Sequence, residues 1–190
     1  MPIKSTAATW GSVTRTLHWL SALVIAFGLI HGYWMANFLP RAERIWHYRW
    51  HGTILMLFGV LLAVRILWRF IDAAPEQPAA STPLEKTAAH LGHLALYVLM
   101  IAAVISGYMC WSAFPARFDP ARANQIAISV FGFDLPAMHV KADRAVFGFW
   151  EDTHTYLAWA LAAFVVIHIL AAMRHHFIKG NDVMRRMSRG

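Results

Sequence analysis

The chain has 190 residues, 58% of them hydrophobic, with nine tryptophans and a formal charge of +7. So apolar a composition excludes an ordinary soluble domain. The basic residues flank apolar runs rather than forming a stripe on a polar face, which argues against nucleic acid as a partner and for a lipid bilayer with anionic headgroups.

Four apolar runs approach or exceed the roughly 20 residues that cross a bilayer. Backbone polar groups in lipid must be satisfied within the segment, so each run reads as a helix. The expected fold class is an all-α membrane protein, a four-transmembrane-helix bundle forming one domain over residues 1–190. A polar arm with Lys4 and Arg15 leads into the first helix, about 17–38, which carries His18 near its entry and His31 further on. No small-x-small cleavage signal follows, so this run is expected to remain a spanning helix. Pro40 ends its exit, and Arg41-Ala-Glu-Arg44 reads as a tight polar connection. The second helix, about 50–70, enters at His51 and leaves through Arg65 and Arg69, with His47 taken as a surface loop residue.

Asp72–Pro83 holds three of the eight prolines and reads as an extended loop. Thr82 is the expected cap of the third helix, about 84–114, with Pro83 in its first turn. His90 and His93 share a face near its start. Residues 115–152 are too long a connection for a simple turn, and are expected to pack over something, as an interfacial helix for instance. The fourth helix, about 153–175, is followed by a basic tail. Four crossings put both termini on one side, with ten Lys/Arg there against seven opposite. That balance predicts cytoplasmic termini in a multi-pass membrane protein.

With Cys110 its only cysteine and no C-x-x-C-H, the chain holds no disulfide of its own, no thiolate cluster and no covalent c-type haem. Histidines carry the chemistry instead. His154 and His168 are fourteen residues apart, which returns the second imidazole to within roughly 40° of the first, about 21 Å along the axis. Polar side chains in such a helix face the interior and have partners. With the crossings antiparallel, His51 matches His154 in depth near the outer face, and His18 matches His168 less closely near the inner one. Two bis-histidine pairs fit non-covalent b-type haem, a flat group that lies between helices and takes one imidazole from each side. His31 lies about 140° around the first helix from His18 and is expected to face core or lipid, with lining the outer haem or a substrate site as the lesser alternative.

Arg15-x-x-His18-Trp19, His51-Gly, Val64-Arg65-x-x-x-Arg69, Ala89-His90-Leu-Gly-His93, the FGFDLP stretch at Phe131–Pro136, and His154 with His168 together resemble the bacterial cytochrome b561 family over nearly the whole chain. The resemblance implies two b-type haems with axial ligands His18, His51, His154 and His168, paired His18 with His168 and His51 with His154. Propionates call for guanidinium partners at the membrane edge, for which Arg15, Arg65 and Arg69 (or Arg174) on the inner side and Arg49 with Lys141 or Arg144 on the outer side are candidates. His90 or His93 could replace an inner ligand or, as a better reading, bond a quinone carbonyl beside the inner haem.

Arg41, Arg44, Lys141 and Arg144 form an outer basic patch able to steer a small anion. Within the family this looks like the branch that oxidises superoxide at the periplasmic face and reduces ubiquinone, a superoxide:quinone oxidoreductase. The alternative is a membrane-anchor cytochrome b subunit that relays electrons between a docked dehydrogenase or hydrogenase and the quinone pool. A four-helix protein without cofactor is the third reading.

Overall fold

The computed structural model describes residues 2–76, 81–119, 126–140 and 143–189. Four long helices dominate it: α1 (Ser12–Phe38), α2 (Arg41–Ile71), α3 (Pro83–Ser112) and α4 (Arg144–Met173). All four are long and apolar enough to cross a membrane. α3 packs closely on α4, α1 on α2, and α2 on α3. Between the two ends, Phe58 and Leu62 of α2, Met100 of α3 and Leu161 of α4 form the buried core.

The helices outrun the apolar stretches that announce them. α2 begins at Arg41 rather than near Trp50, so the expected polar connection is its first turn, and only Leu39 and Pro40 separate it from α1. Likewise α4 begins at Arg144 rather than near Thr153, with the Asp143 carboxylate accepting from the Ala145 N–H at 2.8 Å. Hydropathy marks only what lies in lipid, whereas hydrogen bonding carries a helix on into the polar interface. α3 starts as expected: Thr82 and Glu85 form a reciprocal capping box, and Pro83 lies in the first turn. It ends at Ser112, a little before the expected residue 114.

The long connection packs on the bundle, through a hairpin rather than an interfacial helix. Its described part is a 3-10 turn, Pro115–Phe118, and a two-stranded hairpin, β1 (Ser129–Val130) and β2 (Phe133–Asp134), turning through Phe131 and Gly132 at positive φ. The hairpin is tied down rather than loose. Trp111 Nε1 donates to the Ile126 carbonyl at 2.7 Å, the Tyr108 hydroxyl donates to the Pro136 carbonyl, and Met138 N donates to Ser112 Oγ at 3.2 Å. Ile128, 1% exposed, seats against Gly52, where a Cβ would stand 2.4 Å from its Cδ1. We call this end of the bundle the loop end.

At the other, terminal end, the N-terminal arm folds over the exit of α2. The Asp72 carboxylate, 3% exposed, accepts from Ser5 N at 2.7 Å, from Ser5 Oγ at 2.6 Å and from Thr14 Oγ1. Trp68 Nε1 in turn donates to Thr14 Oγ1 at 3.0 Å. A π turn, Arg174–Ile178, continues α4, and the short α5 (Val183–Ser188) comes back beneath α1, with Trp19 Nε1 donating to the Met187 carbonyl at 3.1 Å.

Candidate functional site

Neither α1 and α4 nor α2 and α4 pack closely among the described residues. Across those two gaps imidazoles face each other. His18 of α1 and His168 of α4 have ring centres 6.2 Å apart at the terminal end, and His51 of α2 and His154 of α4 have ring centres 6.2 Å apart at the loop end. An ion held between two imidazoles, about 2 Å from each nitrogen, puts the ring centres roughly 6 Å apart.

The loop-end pair borders a cavity of about 650 Å³, counting its open side, lined by His51, His154 and apolar residues such as Leu55, Met56, Phe58, Met100 and Leu161. Each imidazole lies against a glycine on a neighbouring helix: a Cβ at Gly32 would stand 3.2 Å from His51 Cε1, and one at Gly107 would stand 3.0 Å from His154 Cε1. Ser106 Oγ lies 3.1 Å from His154 Nδ1. The buried Nδ1 of His51 has no hydrogen-bond partner among the described residues. Among those residues no three His, Cys, Asp or Glu side chains gather as a metal cage. The arrangement fits a macrocycle that brings its own in-plane ligands and takes only axial ones from the protein.

His31 faces α2 beside the loop-end pair. It stacks on His51 with ring centres 5.7 Å apart and planes 18° apart, while Phe27 stacks on its own helix side at 5.0 Å. His31 Nε2 and His47 Nδ1 form a 3.2 Å hydrogen bond. Angular arithmetic turned His31 away from His18 correctly, but α2 stands in that direction at this depth. His47 is part of α2 rather than a loop because that helix starts so early.

At the terminal end, Arg65 Nη2 donates to His18 Nδ1 at 3.2 Å, and its guanidinium lies 5.4 Å from the Tyr97 ring centre. His93 joins the cluster, 5.5 Å from His168 between ring centres. His90 does not face it: exposed, it bonds through Nδ1 to the Lys86 carbonyl of its own helix at 2.7 Å. Arg15 is buried at 7% exposure at the start of α1.

The remaining basic candidates are held elsewhere. Arg69 Nη1 donates to the Asp72 carbonyl at 2.8 Å, and Arg174 pairs with Glu85 at 2.8 Å. Arg49 stands 5.7 Å over the Trp46 ring, Arg44 Nε donates to the Leu39 carbonyl at 2.9 Å, and Arg144 is exposed at the start of α4. Lys141 and the Arg41 side chain lie outside the described residues. Ser106, Gly32 and Gly107 are site residues that sequence reasoning missed, because small residues in apolar helices look like ordinary helix packing.

Four membrane-length helices with opposed imidazoles across two gaps define a class: a multi-pass membrane electron-transfer protein of the cytochrome b type. The chain belongs to the prokaryotic cytochrome b561 family, which matches residues 9–190. It is 34% identical over 190 residues to cytochrome b561 homolog 2 of Escherichia coli K12, covering 98% of this chain and 95% of that protein. It is 29% identical over 177 residues to a protein of Yersinia pestis named as probable superoxide oxidase CybB, covering 90% of this chain and 91% of that one. Membership makes the chain an oxidoreductase of membrane electron transport, and implies b-type haem.

Proposed function

We propose that the chain carries two b-type haems, one held by His51 and His154 and one by His18 and His168, and that it oxidises superoxide at the loop end and reduces ubiquinone at the terminal end. The observation that carries this reading is the pair of opposed imidazoles at each end of the bundle, both with ring centres 6.2 Å apart. A bound b-type haem supplies one-electron redox chemistry at each end. Two superoxide anions give up one electron each, and one quinone takes up both with two protons, yielding two O2 and one quinol. The superoxide assignment draws its support from the name of the Yersinia pestis relative. With the terminal face cytoplasmic, the loop end faces the periplasm of an inner-membrane protein.

The chain's own residues have distinct tasks. A guanidinium donates only, so in this arrangement His18 Nδ1 accepts from Arg65. A neutral imidazole has one free lone pair, and that contact therefore competes with ligation through either nitrogen. A propionate carboxylate of a bound haem would take the Arg65 guanidinium in place of His18, and Arg15, buried at the start of α1, is a second candidate for it. His93, next to His168, would bond a quinone carbonyl and hand over a proton, rather than His90, which is turned onto its own helix.

The test is the reduced-minus-oxidised spectrum of the purified protein with haem counted per chain, repeated while superoxide is generated enzymatically. Two haems, reduced by superoxide and reoxidised by added ubiquinone, are expected. Two haems indifferent to superoxide would overturn the donor in favour of a relay subunit served by a docked dehydrogenase. Protein without haem would end the reading altogether.

A further inference from the structure

The two imidazoles at the loop end are not equivalent. Ser106 Oγ donates its one proton to the Ala103 carbonyl at 3.1 Å within α3. With that proton on the Ala103 carbonyl, which is also a hydrogen-bond partner of the His154 side chain, the Ser106 oxygen accepts from His154 Nδ1, 3.1 Å away. The proton between them therefore sits on His154 Nδ1, and the free lone pair of that ring is on Nε2. Ser106 is 2% exposed, so no bulk water competes for this bond. Across the gap, His51 has a buried Nδ1 without a hydrogen-bond partner among the described residues, and is positioned instead by the stacked His31 ring and by contact with Gly32.

From this asymmetry we infer that Ser106 is a positioning residue that fixes the tautomer of His154, makes it the stronger electron donor of the loop-end pair, and thereby holds down the reduction potential of that end. The inference rests on the reading of His51 and His154 as axial ligands. An acceptor at Nδ1–H fixes ring orientation and raises the basicity of the other nitrogen, and a more basic ligand favours the oxidised iron. Ser106 needs no contact with substrate or metal to act. Its neighbour Gly107 serves the same end sterically, since it leaves the space in which the His154 ring lies against α3.

The experiment is a redox titration of the purified haem-loaded protein, resolving the two haems by their spectra, for wild type, Ser106→Ala and Ser106→Thr. In Ser106→Ala the loop-end haem should become easier to reduce, by about tenfold in its reduced-to-oxidised ratio at fixed potential. That corresponds to about 59 mV for one electron. The terminal-end haem, in the same molecule, should not move, and Ser106→Thr, which keeps the hydroxyl, should return the loop-end value toward wild type. A loop-end potential unchanged in Ser106→Ala would overturn the inference, as would an equal shift of both haems. Loss of one haem in His154→Ala keeps the ligand reading standing in either case. Two haems retained in both His154→Ala and His51→Ala would overturn that reading, and the inference with it.

Discussion

A methyl group added at Gly107 would stand 3.0 Å from His154 Cε1 and 3.3 Å from its Nδ1, while one added at Gly92 of the same helix would meet nothing within 4 Å. The His154 ring cannot retreat freely, because Ser106 holds its Nδ1. Gly107→Ala should therefore cost about 1–3 kcal/mol as an overpacked site. Gly92→Ala should instead gain roughly 0.5–1 kcal/mol from helix propensity alone. Haem content and melting temperature check the pair: Gly107→Ala should fall below two haems per chain and melt earlier, and Gly92→Ala should do neither. Equal behaviour of the two would mean that the glycine does not serve the imidazole. At this scale the sequence showed the titratable residues and hid their supports. His51, His154, His18 and His168 stand out because ionisable groups in lipid are costly, whereas a serine or glycine there costs little and attracts no notice.

Elements were legible where lipid dictates them and illegible where the interface does. Thr82, Pro83 and Glu85 announce the start of α3 by local chemistry, and the structure has that cap. No local rule places Asp72, which sits in a Pro-rich stretch and takes its partners from Ser5 and Thr14, far away in the chain. Burial pushes the Asp72 carboxyl up, but the bonds from Ser5 and Thr14 outweigh it and leave its pKa below the ordinary value. A depressed folded pKa contributes stability above the unfolded value, about 3.9, that is lost as pH falls through the folded one. The N-terminal arm should thus stay protected from hydrogen exchange at neutral pH and open on acidification below about pH 4. Asp72→Ala should leave it open at neutral pH, losing charge-assisted bonds worth about 1.5–3 kcal/mol each. An arm equally protected in Asp72→Ala would show that Trp19, Met187 and the returning tail hold that end without it.

Over the whole molecule, α4 is the shared element: it supplies one imidazole to each gap and, among the described residues, packs closely on α3 alone of the other spanning helices. Its two histidines are about 21 Å apart along the axis, with the Phe58, Leu62, Met100 and Leu161 core between the ends. Sites that far apart and without shared partners should behave additively. His154→Ala should therefore remove one haem and leave the other, reducible by dithionite and reoxidised by ubiquinone, while reduction by superoxide disappears. His168→Ala should do the opposite: the loop-end haem is still reduced by superoxide but is no longer reoxidised by quinone. The two phenotypes together require a donor at one end, an acceptor at the other and a route through both. If either single variant loses both haems, the bundle holds one cooperative site rather than two. If His168→Ala still passes electrons to quinone, the acceptor is reached from the loop end, and His93 has no part in its reduction.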